Sequence, residues 1–261
     1  MSEAIEVEVA GVGLFTPELP NVEAWRSRSV CEEPQVPRGA RLDRRARGRS
    51  SVLTKALAEA YFEAADAAGV EVGEGSAVFG SALGEVGTML GLLNQMWRDR
   101  EDPSPMAFAL SVHNAASGVV SIATKNRGFT TSLGADHDTP AMALMEGFGL
   151  IAERGEPVVV VCGEEPTPTA LVPDHETWEL ATMAIALAPA SGIDPRRVRL
   201  RGPFKGTPTF TPSELRPAFA RNPQIGLFDL ICAVEGRRSE TVALDRGRGG
   251  GWCMEVRVPD G

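Results

Sequence analysis

The sequence has few of the residue types from which reactive and metal sites are usually built. Among its 261 residues are four cysteines and three histidines. Cys31, Cys162, Cys232 and Cys253 have no CxxC spacing and no paired histidines, so no zinc site is expected. No glycine-rich fingerprint for a dinucleotide or a phosphate loop occurs either. We therefore expect neither a metal nor a cofactor.

Long apolar runs, a leader segment and a basic surface are lacking too. No apolar run reaches 18 residues, so no membrane span is expected. The N-terminus MSEAIEVEV lacks the basic and apolar regions of a signal peptide, and the expected compartment is the cytoplasm. The formal net charge of -9 argues against binding to nucleic acid or an anionic membrane, because both attract basic surfaces.

One local run departs from the acidic average. Arg38–Arg49 reads RGARLDRRARGR and is a basic patch of the kind that an acidic carrier protein would need. A solvated loop before a helix is the other interpretation of such a charge run, and it is the one we favour.

Strand and helix patterns alternate through the first 190 residues. Apolar residues at helical or strand spacing predict five strands and four long helices. This alternation predicts an α/β layered fold with a mixed sheet. The strands are Ile5–Leu14, Ser76–Ser81, Phe129–Leu133, Pro157–Cys162 and Thr182–Leu187, and the helices are Ser50–Ala68, Glu85–Arg98, Val112–Lys125 and Asp138–Arg154.

The texture of the chain changes after Pro189. Arg196–Pro217 is rich in proline, arginine and threonine, and a helix is predicted over Ile225–Gly236. Glu240–Leu244 and Trp252–Val258 flank a glycine-rich loop and predict a closing hairpin. We expect residues 1–190 to form one domain and residues 191–261 to form an extension packed on the same domain.

Five segments occur in the order found in thiolase-like condensing enzymes. Each segment is a weak signal alone, but five segments in the same order are not expected by chance. The chain most resembles half-length β-ketoacyl synthase-like N-terminal domain proteins, some of which are associated with aryl polyene or related polyketide-type pathways. The resemblance implies a single thiolase-like half with a mixed central sheet and helices on both faces. The segments are RRARGRSSVLTKALAEAYFEAADAAGV, SAVFGSALGE, SPMAFALSVHNAASGVVSIATKNRG, TTSLGADHDTPAMALMEG and PVVVVCGEE.

The first departure from the synthase pattern is the nucleophile. In the condensing enzymes a cysteine sits at a sharp turn between a strand and a long buried helix. Here the corresponding turn is Gly134–His137, and no cysteine lies between Cys31 and Cys162. Asp136 takes the cysteine position, or His137 does if the turn is longer by one residue. The helix N-terminus that would stabilise a thiolate would here stabilise an aspartate anion, a poorer acyl acceptor.

The second departure concerns the partner residues. Synthases take two histidines, or a histidine and an asparagine, from their second half. The three histidines of this chain are His113, His137 and His175, and none lies beyond residue 175. Condensation by this chain alone is therefore not expected.

Asp136 and His137 are the candidate catalytic residues. The functional interpretation is a general acid/base or nucleophile pair at the mouth of an acyl pocket, and a structural role in the turn is held equal to it. Asp138 is interpreted as a helix N-cap, with Pro140 in the first helical turn.

Four further residues are candidates for substrate binding. His113 and Asn114 begin a helix rich in small residues and would line the pocket as donors, although a histidine satisfied by backbone is the interpretation we favour. Cys162 and Gly163 lie beside the site by analogy with the synthases. A buried, inert thiol is the safer interpretation of Cys162.

Three functions remain open. The first is a non-condensing accessory subunit of fatty-acid or polyketide-type biosynthesis that binds acyl chains or an acyl carrier protein, as chain-length factors do. The second is an acyl-thioester hydrolase or transferase that uses Asp136 and His137. The third is a purely structural, dimeric thiolase-like protein. The strand Phe129–Leu133 pairs across a two-fold axis in the synthases, which implies a homodimer or a heterodimer with a full synthase.

Overall fold

One eight-stranded sheet forms the centre of the protein. The structure is a computed structural model that describes residues 5–168, 171, 177–190 and 196–259, so His175 lies outside the described residues. The strands lie in the order β3-β2-β4-β5-β1-β6-β8-β7. They are β1 Glu6–Phe15, β2 Ser76–Gly80, β3 Thr130–Leu133, β4 Val158–Glu164, β5 Ala181–Pro189, β6 Arg199–Lys205, β7 Thr241–Ala243 and β8 Trp252–Arg257.

Helices cover both faces of this sheet, as predicted. Helices α7 and α9 share one apolar core, and helices α3 and α6 share the other. None of the helices within the described ranges is long and apolar enough to cross a membrane. The helices are α1 Val22–Arg26, α2 Arg44–Arg49, α3 Val52–Ala68, α4 Val86–Asn94, α5 Pro105–Ala109, α6 Ala115–Thr124, α7 Thr139–Arg154, α8 Pro217–Ala220 and α9 Ile225–Glu235.

The mixed character of the sheet is also confirmed. Strand β2 pairs in parallel with both β3 and β4, while every pairing from β4 through β5, β1, β6 and β8 to β7 is antiparallel. Strand β4 is apolar throughout because both of its faces are buried: Val158 and Val160 face one core, and Val159 and Val161 face the other. Because of these directions, the carboxyl ends of β1, β2, β3 and β4 lie at the same end of the sheet.

The helix predicted over Ser50–Ala68 forms as α3 with the expected signals at both ends. The Ser51 hydroxyl accepts a hydrogen bond from the backbone N–H of Thr54 at 2.8 Å, and Gly69 ends the helix in the left-handed conformation with φ of 67°. Its small residues let the helix backbone lie directly on β1. Gly13 faces this contact, and a Cβ atom there would overlap the carbonyl oxygen of Ala60.

Residues after 196 add three strands to the same sheet. The predicted helix and hairpin are present as α9 and the β7–β8 pair. The predicted helix over Glu85–Arg98 is present as α4, but its last turn is π-helical from Gln95 to Asp99. Strand β6 and the short helices α1, α5 and α8 were not predicted, because each is short or lies in a proline- or arginine-rich stretch without clear periodicity.

We expect Gly13→Ala to destabilise the protein by about 1–3 kcal/mol, because the added methyl group would force β1 and α3 apart. Urea unfolding followed by circular dichroism measures this loss. Gly149→Ala is the matched control, since no atom lies within 4 Å of a Cβ built at that helical position. It should be neutral or stabilise by roughly 0.5–1 kcal/mol. Equal stabilities for the two variants would contradict the close approach.

Candidate functional site

A sharp turn joins β3 to α7, as the resemblance predicted. The turn Asp136–Asp138 is a 3-10 turn, and α7 begins at Thr139. The backbone of Asp136 has φ of 52°, a left-handed conformation that is uncommon outside glycine. The buried Thr139 holds this turn: its hydroxyl donates to the carbonyl of Asp136 at 2.7 Å and accepts from the backbone N–H of Ala135 at 2.9 Å.

The two candidate catalytic residues lie together in this turn. Asp136 is exposed and His137 is half-buried, so both side chains are open to a partner or a substrate. They lie at the N-terminal end of a 16-residue helix. Their catalytic role remains a prediction.

Asp138 occupies the predicted N-cap position before α7, but the expected capping by its side chain is absent. Its backbone is already helical, with φ of -84° and ψ of -2°, and its side chain makes no capping bond to α7. Instead, its carboxylate accepts a hydrogen bond from the backbone N–H of Gly250 at 2.7 Å. The predicted place of Pro140 in the first helical turn is confirmed.

The C-terminal glycine-rich loop therefore reaches the turn before α7. Within this loop the carboxylate of Asp245 accepts from the backbone N–H groups of Gly247 at 2.7 Å and Gly251 at 2.8 Å. The ammonium group of Lys205 lies 3.9 Å from the ring centroid of Trp252 and contacts the carbonyl of Gly250. The loop is thus held at several points against the base of α7.

His113 lies beside the same turn. Its Nε2 atom is 2.7 Å from the carbonyl oxygen of Ser81, and because a carbonyl only accepts, Nε2 carries the hydrogen. A Cβ at Gly134 would lie 2.8 Å from this nitrogen, so the ring packs directly against the turn. This geometry agrees with the favoured interpretation of a histidine satisfied by backbone. Asn114 is exposed at the start of α6, where its carbonyl accepts from the hydroxyl of Ser117.

Cys162 and Gly163 lie inside the sheet rather than at the turn. Cys162 is fully buried, and burial raises the pKa of its thiol far above the usual range, so it is protonated and inert at neutral pH. A Cβ at Gly80 would lie 2.6 Å from its sulfur. Gly163 packs on the opposite face, against Thr182 and Leu57. Substrate contact by either residue remains a prediction.

A buried carboxylate that the sequence analysis missed organises the region behind the turn. Glu164 ends β4 and is fully buried. Its Oε2 accepts from the backbone N–H of Ala82 at 2.6 Å, from the Ser81 hydroxyl at 3.0 Å and from the Gln224 amide at 3.3 Å. Its Oε1 accepts from the backbone N–H of Leu83 at 3.3 Å. Burial raises the pKa of this carboxyl to about 7, although each of these donors acts to lower it.

These contacts connect β4 with the turn before α7. Glu164 fixes the backbone from Ser81 to Leu83, and the carbonyl of Ser81 in turn accepts from His113, which packs on Gly134. The signal in the sequence was an acidic residue at the end of a fully apolar strand, where an isolated charge would be costly. The described residues contain no group of three His, Cys, Asp or Glu side chains arranged to hold a metal ion.

We expect the stability of the protein to fall as the pH rises from about 5 to 8. The folded pKa of Glu164, about 7, lies above its ordinary value of 4.5, so its contribution is fully present below pH 4.5 and is lost as the pH passes 7. The loss is at most about 3 kcal/mol. Urea unfolding at pH 5, 6.5 and 8 measures it.

The matched variants for this measurement are Glu164→Gln and Glu214→Gln. Glu164→Gln cannot ionise and should lose this part of the pH dependence, while Glu214→Gln, at an exposed position, should keep the wild-type slope. The same slope in the wild type and in Glu164→Gln would show that Glu164 does not titrate in this range.

The family model for the β-ketoacyl synthase N-terminal domain matches residues 23–208. No curated protein sequence is significantly similar to the chain. Among solved structures, a ketosynthase (ApeO) in complex with its chain length factor (ApeC) from Xenorhabdus doucetiae contains a chain that matches with a TM-score of 0.66 and 18% identity. The match covers 96% of this chain and 99% of that one, so the two are of nearly equal length.

Two other solved structures contain matching chains that are longer than this one. The ishigamide ketosynthase/chain length factor matches with a TM-score of 0.58 and 16% identity, over 73% of this chain and 63% of that one. A β-ketoacyl synthase from Burkholderia phymatum STM815 matches with a TM-score of 0.56 and 14% identity, over 71% of this chain and 59% of that one. At these identities the likeness is one of fold.

The family match covers most of the chain, and the sheet order, the helices on both faces and the turn before α7 agree with it. The chain belongs to the β-ketoacyl synthase N-terminal domain family, and it has the thiolase-like fold of ketosynthases and chain length factors with an aspartate and a histidine, and no cysteine, in the turn before α7.

Proposed function

We propose that the protein is a non-condensing accessory subunit, similar to a chain-length factor, that pairs in the cytoplasm with a full β-ketoacyl synthase. The pathway would be of the fatty-acid or polyketide type, with aryl polyene biosynthesis as one candidate. The observation that carries this proposal is an open sheet edge in the same part of the chain as an exposed apolar segment.

The open edge is the outer side of β3. The backbone N–H groups of Ala77 and Ser81 donate to the carbonyls of Phe129 at 2.9 Å and Leu133 at 3.2 Å. Because backbone groups alternate along a strand, those of Thr130 and Ser132 point away from β2. No strand of the described ranges pairs with that side. Such an edge tends to pair with another chain.

An apolar arm lies in the connection between β2 and β3. We use this name for Val86–Ala109, which comprises α4, the π-helical turn and α5. Only Val86 and Leu92 of this arm are buried. Contiguous exposed apolar side chains mark interaction surfaces, and aromatic and methionine side chains are enriched there. The exposed apolar residues of the arm are Met89, Leu93, Met96, Trp97, Met106 and Phe108.

The comparisons support the kind of partner. Two of the similar solved structures are described as pairs of a ketosynthase and a chain length factor. The chain in the first pair has nearly the length of this one. A half-length partner that leaves the chemistry to a full synthase also agrees with the absence of a cysteine from the turn before α7.

The basic run Arg38–Arg49 gives a second element of the proposal. Within it, Asp43 caps the short helix α2 by accepting from the backbone N–H groups of Arg45 and Ala46, so this part is a helix rather than the expected loop. Four exposed arginines project from α2, in a protein of net charge -9. We propose that an acidic acyl carrier protein docks on them. They are Arg44, Arg45, Arg47 and Arg49.

A second function has one observation in its favour. Asp136 is exposed in a left-handed turn at the start of α7, with His137 beside it, which is a position suited to a nucleophile or base. The second proposal is therefore an acyl-thioester hydrolase or transferase. This function requires that the protein release thiol from acyl thioesters, and that both Asp136→Ala and His137→Ala abolish the release. An accessory subunit requires no thiol release and does not depend on either side chain.

The pairing is tested by co-expression with a full-length β-ketoacyl synthase that carries the cysteine, followed by size-exclusion chromatography with light scattering. A 1:1 complex is expected. Phe108→Asp should weaken it more than tenfold, because a charge would be buried where an aromatic anchor had been. Val36→Asp is the control, since Val36 is an apolar residue of similar exposure that lies outside the arm. A wild-type protein that associates only with itself would instead favour the purely structural dimer.

Carrier docking is tested by the double variant Arg45→Glu/Arg47→Glu. Its affinity for an acyl carrier protein, measured by isothermal titration calorimetry at low salt, should fall at least tenfold, because two attractive charges become repulsive. The wild-type affinity should also fall with added salt. Arg154→Glu changes a charge at the end of α7 and should leave binding intact. A clear loss of affinity in Arg154→Glu as well would show that net charge, and not the position of the arginines, sets the binding.

A further inference from the structure

A cavity lies apart from the turn before α7 and from the apolar arm. Its volume is about 880 Å³, and its walls come from the loop after β1, from α1, from the segment before β5, from α8 with the segment before it, and from α9. No residue of the turn or of the arm lines it. Small-molecule sites typically occupy roughly 300–1,000 Å³. The cavity is therefore large enough for a ligand, and the proposed function makes no use of it.

Three aromatic rings form one wall of this cavity. The ring of Phe228 makes edge-to-face contacts with Trp25 at 5.8 Å and with Phe219 at 5.4 Å between centroids. Phe219 and Phe228 are buried, whereas Trp25 is half-buried and so remains accessible from the cavity. Rings in this arrangement offer edges and faces to a further ring, which adds to the free energy from apolar burial.

The thiol of Cys232 extends the apolar wall. Burial raises the pKa of this thiol to about 12, so it stays protonated at neutral pH. It is a neutral contact surface and not an attachment point.

Ion pairs lie along the rim of the cavity. Arg26 contacts Glu235 at 2.6 Å, and Arg216 contacts Glu18 at 2.9 Å and Glu179 at 2.7 Å. These pairs join segments that are distant in the sequence.

The charges around the rim cancel. Among the described residues, the lining contains equal numbers of arginines and glutamates, so these residues give no net charge that would select an anion or a cation. A ligand without charge would lose the least hydration on entering. The charged lining residues are Arg26, Arg28, Arg216, Arg238, Glu18, Glu179, Glu214 and Glu235.

We propose that this cavity is a binding site for an uncharged aromatic small molecule, whose ring packs against Trp25, Phe219 and Phe228. The site is independent of pairing through β3, and it goes beyond the proposed function. It gives the protein a ligand-binding activity separate from any acyl chemistry at the turn before α7.

The test is a titration of the full chain with N-phenyl-1-naphthylamine, an uncharged aromatic dye whose fluorescence rises in apolar surroundings. Saturable 1:1 binding is expected. Trp25→Ala should weaken it at least tenfold. Trp97→Ala, which removes the same side chain from the exposed arm, should leave it unchanged. The anionic dye 1-anilinonaphthalene-8-sulfonate should bind at least tenfold more weakly than the uncharged dye.

A second variant keeps the test decisive if Trp25→Ala does not fold. Cys232→Trp fills the cavity from α9 while Trp25 stays in place, and it should abolish binding with an unchanged circular dichroism spectrum. The proposal is overturned if the dye shows no saturable binding. It is also overturned if binding is lost in Trp97→Ala but retained in Cys232→Trp, because the dye would then lie on the arm.

Discussion

The buried carboxylate of Glu164 is the interaction on which the candidate site depends. Parallel strands β2 and β4 end side by side, and the chain after β2 must turn away with backbone N–H groups that no strand can pair. Glu164 accepts from two of these groups, at Ala82 and Leu83, and from the Ser81 hydroxyl. A buried carboxylate without partners is costly, and so are buried amides without an acceptor. The hydrogen bonds between Glu164 and these amides reduce both costs. The same backbone then supports His113 and the turn before α7.

The turn before α7 lies where the resemblance predicted it, between β3 and a long helix, with an aspartate and a histidine in it. Asp136 occupies a left-handed position at the N-terminal end of a long helix, and a carboxylate is a poorer acyl acceptor than a thiolate. The glycine-rich loop is bound to Asp138, so the C-terminal part of the chain contributes to this region without supplying a histidine. Together with the open edge of β3 and the exposed arm, these features are the basis of the proposed pairing with a synthase.

Local patterns in the sequence predicted most of the fold. The apolar run of β4, the helical spacing and caps of α3, and the strand, turn and helix around Asp136 each depend on neighbouring residues. The family resemblance predicted the fold class. What could not be predicted depends on long-range partners: Gln224 reaches Glu164 across 60 positions, and Gly250 reaches Asp138 across 112. Asp138 was assigned to capping because its true donor lies in a distant loop. The aromatic cavity was also missed, because its walls come from segments that are far apart in the sequence.

The central claim is that a synthase closes the open edge of β3, and hydrogen–deuterium exchange tests it most directly. The amides of Thr130 and Ser132, which point away from β2, would be followed in the protein alone and in the complex with a full β-ketoacyl synthase. The account predicts fast exchange alone and at least tenfold slower exchange in the complex, together with protection of the apolar arm. A complex in which both amides still exchange at the rate of the isolated protein would contradict it.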